Sequence, residues 1–179
     1  ALDLYLTTCV KGRTLEKKSE QIAAIQPDYV INFNYTDTVS AYGISGDRIF
    51  YAKGNAGNEP MNLVLGAPDE SEDHMEWVYL RNYFQKFMKF IGVPEKSVLY
   101  PVDEAGNAVP VVTHWFGYSF PAGDSQMIRD LTQASDKMVI YYINMEDYAF
   151  KMIRLLELFG KEEIEDHIFS GKIVFEKIK

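Results

Sequence analysis

Along this chain the spacing of apolar residues switches between the two-residue period of a strand and the longer period of a helix. Tyr29-Val30-Ile31-Asn32-Phe33 is β-branched and aromatic and follows Gln26-Pro27-Asp28, so a strand is expected there. A helix over residues 15–25 leads into it, with Leu15, Ile22 and Ile25 among its apolar positions. Thr36 or Asp37 is placed to cap a short helix running to Tyr42. Short strands are expected over 48–51 and 62–66, on either side of a glycine-bearing loop over 53–58. Trp77, Leu80, Phe84, Phe87 and Ile91 recur at spacings of three and four. They predict one helix over 73–91, opened by Asp73 and Glu76 at capping-box spacing and closed by Gly92 and Pro94. The stretch from 95 to 110 reads as loop, with a hairpin tip over 103–107.

The second half alternates more regularly. A buried-type strand is expected over 111–116, a helix from Asp124 to about Ala134, and a strand over 137–142. Asn144 and Asp147 frame the start of a helix carrying Met145, Tyr148, Met152, Leu155 and Phe159 on one stripe, which Gly160 stops. A short helix over 162–168 and a strand over 172–176 complete the chain. Crossovers of this length favour parallel pairing. The expected fold is therefore α/β: a Rossmann-like, mostly parallel sheet with helices on both faces. It is organised as a helical lead-in over 1–27 and an α/β domain over 28–179. Residues 30–33, 111–116 and 139–142 are expected as neighbouring strands of that sheet, since each is apolar on both faces.

Composition narrows the classes. In 179 residues, 47% are hydrophobic and 25% charged, the arithmetic of a folded globular chain. A net charge of −8 argues against a broad nucleic-acid surface. No apolar run approaches the roughly 18 residues of a membrane span, so no membrane partner is expected. Cys9 is the only cysteine and cannot form an internal disulfide, which points to a cytoplasmic protein.

Two loops leave strand ends, where parallel sheets take ligands, with suggestive polar content. In the first, Asn32 and Asn34 share a face at alternating positions and could act together on an amide or ribose. The competing reading is that they satisfy loop backbone groups. In the second, Gly117 permits close backbone approach, Ser119 supplies a hydroxyl, and Asp124 could hold a ribose or base or simply cap a helix. The loop after Tyr51 carries Lys53 and Gly54 but lacks the spacing of a Walker or dinucleotide motif, so an ordinary turn competes with a phosphate loop. His74, His114 and His167 show no metal-ligand spacing, and no metal is expected.

Taken in order, these segments resemble the bacteriophage abortive-infection AbiH family. Asn32-Phe33-Asn34-Tyr35-Thr36 resembles its FNYT segment, and Phe116-Gly117-Tyr118-Ser119 with Asp124 resembles its Gly-His-Ser…Asp segment. Lys53-Gly54 stands where that family has His-Gly, and Asn62-Leu63-Val64-Leu65-Gly66 matches its next strand. The resemblance spans about residues 28 to 178 and extends to the sirtuin-like Rossmann proteins of bacterial defence. It implies a phage-defence protein that binds NAD or a related nucleotide-like ligand. Asn34 would lie near nicotinamide, and Ser119 and Asp124 on the nucleotide side. Asn32, Asn34, Thr36, Lys53, Gly54, Gly117, Ser119 and Asp124 are the expected ligand-binding residues, with Asn34, Ser119 and Asp124 lining one cleft. The alternatives are a sirtuin-like NAD hydrolase and a non-catalytic interaction module.

The departures bear on chemistry. Thr36 stands where the sirtuin-like segment has Asp, Lys53 where the family has a histidine, and Tyr118 where it has another. Lysine in general is a poor substitute for a histidine base, with a reference pKa of about 10.4 against about 6.5. No catalytic residue is assigned. The family's opening glycine-rich turn has no counterpart in residues 1–30, so the chain is expected to be a carboxyl-terminal portion of a longer protein or to have lost that loop. A portion of that kind would hide its exposed strand by forming a homodimer.

Overall fold

The computed structural model describes residues 2–10, 19–57, 61–65 and 75–178. It is an α/β structure with two small parallel sheets. By its internal contacts the chain forms two compact units, Ala1–Pro94 and Glu95–Lys179. The lead-in expected over 1–27 belongs to the first.

In the first unit, helix α1 (Leu2–Tyr5) runs into a π turn, Leu6–Val10. Helix α2 (Glu20–Ile25) covers the carboxyl end of the expected 15–25 helix. Ser19 caps it by accepting from the Ile22 N–H at 3.4 Å, and residues 15–18 lie outside the described residues. Strand β1 (Val30–Asn32) pairs in parallel with β2 (Ile49–Tyr51), with Asn32 opposite Tyr51. The connection between them holds two single-turn 3-10 segments, Ser40–Tyr42 and Gly46–Arg48. Asp37 opens the first by accepting from the Ser40 N–H at 3.0 Å, as expected.

Two expectations fail in this unit. The 62–66 strand is absent from the described residues 62–65, because side chains satisfy most of that backbone. Val64 N–H does reach the Lys53 carbonyl at 2.9 Å. The Tyr35 hydroxyl, however, donates to the Val64 carbonyl at 2.7 Å, Leu65 N–H donates to Gln85 Oε1 at 2.9 Å, and Lys89 Nζ donates to the Leu63 carbonyl. The single 73–91 helix is instead a 3-10 segment, Met75–Leu80, then helix α3 (Asn82–Met88), with Arg81 extended between them. Gln85 turns inward to hold Leu65 while Leu80 and Phe87 are exposed. The hydrogen-bonding demand of an irregular segment thus overrides the apolar stripe. The Asp73 cap lies outside the described residues.

The second unit follows the sequence closely. After the short helix α4 (Lys96–Leu99), the 103–107 tip forms as expected. Asp103 accepts from the N–H groups of Ala105 and Asn107, and Val102 bridges Ala108. Strand β3 (Val112–Trp115), helix α5 (Ser125–Ala134), strand β4 (Lys137–Tyr142), helices α6 (Met145–Phe159) and α7 (Lys161–Phe169), and strand β5 (Ile173–Lys177) build a sheet in the order β3-β4-β5. Every pairing is parallel. Central β4 is buried from Met138 to Tyr141, which accounts for its unbroken apolar run. Asn144 caps α6 by accepting from the Asp147 N–H at 2.9 Å, and Gly160 at φ +81° ends it.

Residues 111–116 and 139–142 are therefore neighbours, as expected, but 30–33 is not part of their sheet; it pairs with β2. Nor is β3 buried on both faces, since Val112 and His114 are exposed on a strand with one partner. Helix α5 meets β4 where the Thr132 hydroxyl reaches Met138 Sδ at 3.6 Å. Helix α6 meets the same face where the Tyr148 ring stands edge-on to Tyr142 and Phe175. The expectation of helices on both faces is thus met on one face by α5 and α6. Successive crossovers of one hand in a sequentially ordered sheet fall on one side, and covering both requires the strand order to reverse.

Candidate functional site

The first unit gathers five of the residues singled out in the sequence at the carboxyl end of the β1–β2 pair. Asn32 ends β1 and is 4% exposed. Its Oδ1 accepts from the Asn34 N–H at 2.8 Å and its Nδ2 donates to the Thr36 carbonyl at 3.1 Å. Asn32 is thus the staple of the 33–36 turn, the backbone-satisfying role weighed against ligand binding, while Asn34 is exposed. Beside this turn, Asp37 accepts from the Ser40 N–H at 3.0 Å. Burial pushes the Asp37 carboxyl up, but hydrogen bonding, first from Ser40, outweighs it and holds it below its ordinary value. Burial first, and then the Asp37 charge, push the Tyr51 phenol up to about 12.

The loop after β2 closes on the same end. The Ala56 N–H donates to the Tyr35 carbonyl at 2.7 Å. Lys53 is half-buried and accepts from Val64 through its carbonyl. Gly54 is buried at φ +80°, and a Cβ there would stand 2.7 Å from the Asn62 carbonyl carbon. Asn62 Oδ1 also accepts from the Asn55 N–H at 3.0 Å. Gly54 is therefore required by close approach of the chain itself.

In the second unit the 117–124 loop leaves the carboxyl end of β3. Gly117 takes φ +59° with open space where a Cβ would stand, and Ser119 is exposed. Asp124 is 2% exposed. Its side chain turns away from the helix it opens, and Oδ2 accepts from the Tyr118 hydroxyl at 2.5 Å. Burial and then the Asp124 charge push the Tyr118 phenol well above its ordinary value. Trp115, Tyr118 and Phe120 pack their rings at 5.1–5.4 Å, with Phe120 fully buried in the left-handed region at φ +51°. Ser119 and Asp124 thus point apart, one to solvent and one into the core.

Sequence reasoning missed the junction after β4. Lys151 is 4% exposed, and its Nζ donates to the Tyr141 carbonyl at 2.9 Å and to Asp147 Oδ2 at 2.6 Å. Burial opposes ionisation of Asp147, but Lys151 and the Ile143 N–H hold its carboxyl below the ordinary value. The four-residue spacing of Asp147 and Lys151 was the available signal. A hollow of about 270 Å³ lies beside it, lined by Asn144, Glu146, Asp147 and Phe150. A cleft of about 340 Å³ lies elsewhere in this unit, against Arg129, Phe159, Glu163, His167 and Lys172.

Among the described residues no three His, Cys, Asp or Glu side chains group closely enough to hold a metal ion. Among the same residues no helix is long and apolar enough to cross a membrane. No family model, curated protein or solved structure matches the chain.

Proposed function

We propose that this chain is a phage-defence protein of the AbiH type, acting in the cytoplasm, whose second unit binds a nucleotide-like ligand without hydrolysing it. The observation that supports this reading is the position of the Gly117-Tyr118-Ser119 loop at the carboxyl end of a parallel strand, the end at which α/β sheets take ligands. Gly117, open and in the left-handed region, leaves room for a ligand to approach backbone N–H groups, and the exposed Ser119 hydroxyl can give or take a hydrogen bond. The sheet β3-β4-β5 is read as part of a Rossmann-like arrangement.

Hydrolysis is disfavoured by the two positions at which the resemblance would place histidines. Tyr118 spends its proton on a buried carboxyl, which removes it as an acid or base near neutrality. Lys53 is a donor in its charged form, without an acceptor lone pair. NAD, ADP-ribose and ATP share the nucleotide chemistry this reading calls for.

Calorimetric titration of the full-length protein with each of the three, beside an NAD-consumption assay, tests the reading. Binding of at least one, with NAD left intact, is the expected result. Rapid NAD turnover would favour the hydrolase, and absence of binding by all three would leave an interaction module.

A further inference from the structure

The cleft of about 340 Å³ in the second unit plays no part in that reading. Helix α5 supplies Arg129 and Asp130 to its wall, α7 supplies Glu163 and His167, Phe159 ends α6 there, and Lys172 precedes β5. Glu163 and His167 stand one turn apart on α7, so they share a face. The backbone of Lys172 is fixed by its carbonyl, which accepts from the Met138 N–H at 2.7 Å. Phe159 is buried, with the Arg129 guanidinium over its ring at 5.2 Å and His167 edge-on to it at 5.9 Å.

The charges of this cleft are not matched to one another. Arg129 donates one N–H to the Leu158 carbonyl, at the end of α6. Asp130 accepts from Gln126 at 2.8 Å, and Glu163 Oε1 lies 3.6 Å from His167 Nε2. Among the described residues neither Arg129 nor Lys172 forms an ion pair with either carboxylate. Lys172 is half-buried, and among the same residues its ammonium has no hydrogen-bond or ion-pair partner at all. A guanidinium carries five donors and an ammonium three, while a carboxylate only accepts. The cleft therefore keeps both N–H groups to give and carboxylate oxygens to receive.

We propose that this cleft binds a small zwitterion of α-amino-acid type, its carboxylate taken by Arg129 and Lys172 and its ammonium by Asp130 and Glu163. Two cations and two carboxylates line it, so a ligand with one charge of each sign meets a partner for both. A ligand of one sign leaves one pair facing a like charge, at a Coulombic cost that grows as water is excluded. A nucleotide diphosphate is disfavoured on the same ground, since it would face Asp130 and Glu163 uncompensated. The volume lies near the lower bound of ligand pockets in general, about 300 Å³, which suits a small metabolite. Leu158 and Phe159 hold the Arg129 guanidinium in place, so part of the ordering cost of binding is met before the ligand arrives. This site and the nucleotide site stand or fall separately.

The test is amide chemical-shift mapping on the full-length protein at neutral pH, titrated with each of the common L-α-amino acids to millimolar concentration. The expected result is saturable shifts at Arg129, Glu163 and Lys172 with at least one of them. Its N-acetyl derivative keeps only the carboxylate and its amide only the ammonium, and each should bind at least about tenfold more weakly. Lys172→Gln should weaken the same amino acid about tenfold, the loss of one charge-assisted hydrogen bond. It should leave the melting temperature unchanged, because the ammonium has no internal partner. Absence of shifts at these residues with every amino acid overturns the proposal. Equal binding of the N-acetyl derivative overturns it in favour of a plain anion site, and equal binding of the amide in favour of a cation site. Unchanged affinity in Lys172→Gln overturns it as well.

Discussion

The Tyr118 hydroxyl donates to Asp124 Oδ2 at 2.5 Å, and this bond locks the loop after β3 against the start of α5. Tyr118→Phe leaves the ring packing among Trp115 and Phe120 but takes a donor from a buried carboxyl. The expected cost is about 1–3 kcal/mol in urea denaturation; a loss below about 0.5 kcal/mol, the range of an ordinary surface change, would contradict the account.

The same bond sets a pH dependence. The folded-state pKa of Tyr118 is raised above the unfolded value of about 10. Its contribution is therefore complete below about pH 10 and is lost as pH rises further, because the folded state holds a proton the unfolded state has released. Tyr51, pushed up to about 12, acts in the same direction. Stability should fall above about pH 10 in the parent protein, and less steeply in Tyr118→Phe and in Tyr51→Phe. Equal slopes in all three would refute the linkage.

Gly54 and Gly117 both lie in the left-handed region but for different reasons. Alanine at 54 meets the Asn62 backbone as well as an unfavourable φ, whereas alanine at 117 meets only the φ cost. Gly117→Ala should cost about 1 kcal/mol, and Gly54→Ala several times that. Melting temperatures of the two variants check the order, and near-equal losses would show that the 53–57 loop yields without penalty.

Asn32 and Asn34 stand two residues apart but do different work. Asn32→Ala should destabilise by about 1–3 kcal/mol, since it frees the Asn34 N–H and the Thr36 carbonyl inside the turn. Asn34→Ala, at an exposed position, should stay within about 0.5 kcal/mol. Paired denaturation curves decide, and a reversed order would remove the stapling role from Asn32.

Asp147 makes an acid-side prediction. Its pKa is held below the ordinary carboxyl value, so its contribution is present above about pH 4 and lost as pH falls through the folded value. Asp147→Asn should flatten that part of the acid unfolding curve. An unchanged curve would mean that the Lys151 contact contributes nothing net.

The second unit was legible because its patterns agree across levels. The apolar run of β4, the Asn144 cap, Gly160 and the 103–107 tip each name an element that local chemistry alone can form. The first unit was less so. Its 62–65 segment is held by Tyr35, Gln85 and Lys89, partners distant in sequence whose polar side chains no periodicity reveals. The site divides similarly. Loop positions after strands were readable from glycine and asparagine chemistry, whereas the inward turn of Asp124 and the burial of Lys151 against the end of β4 depend on packing.

The central claim is that the carboxyl end of β3 receives a nucleotide-like ligand. Backbone amide chemical-shift mapping with ADP-ribose tests it most directly. The account predicts saturable shifts concentrated on Gly117, Tyr118 and Ser119, with little change at Arg129 and Lys172 in the separate cleft. Shifts centred on Arg129 and Lys172, or none at saturating ADP-ribose, would contradict it.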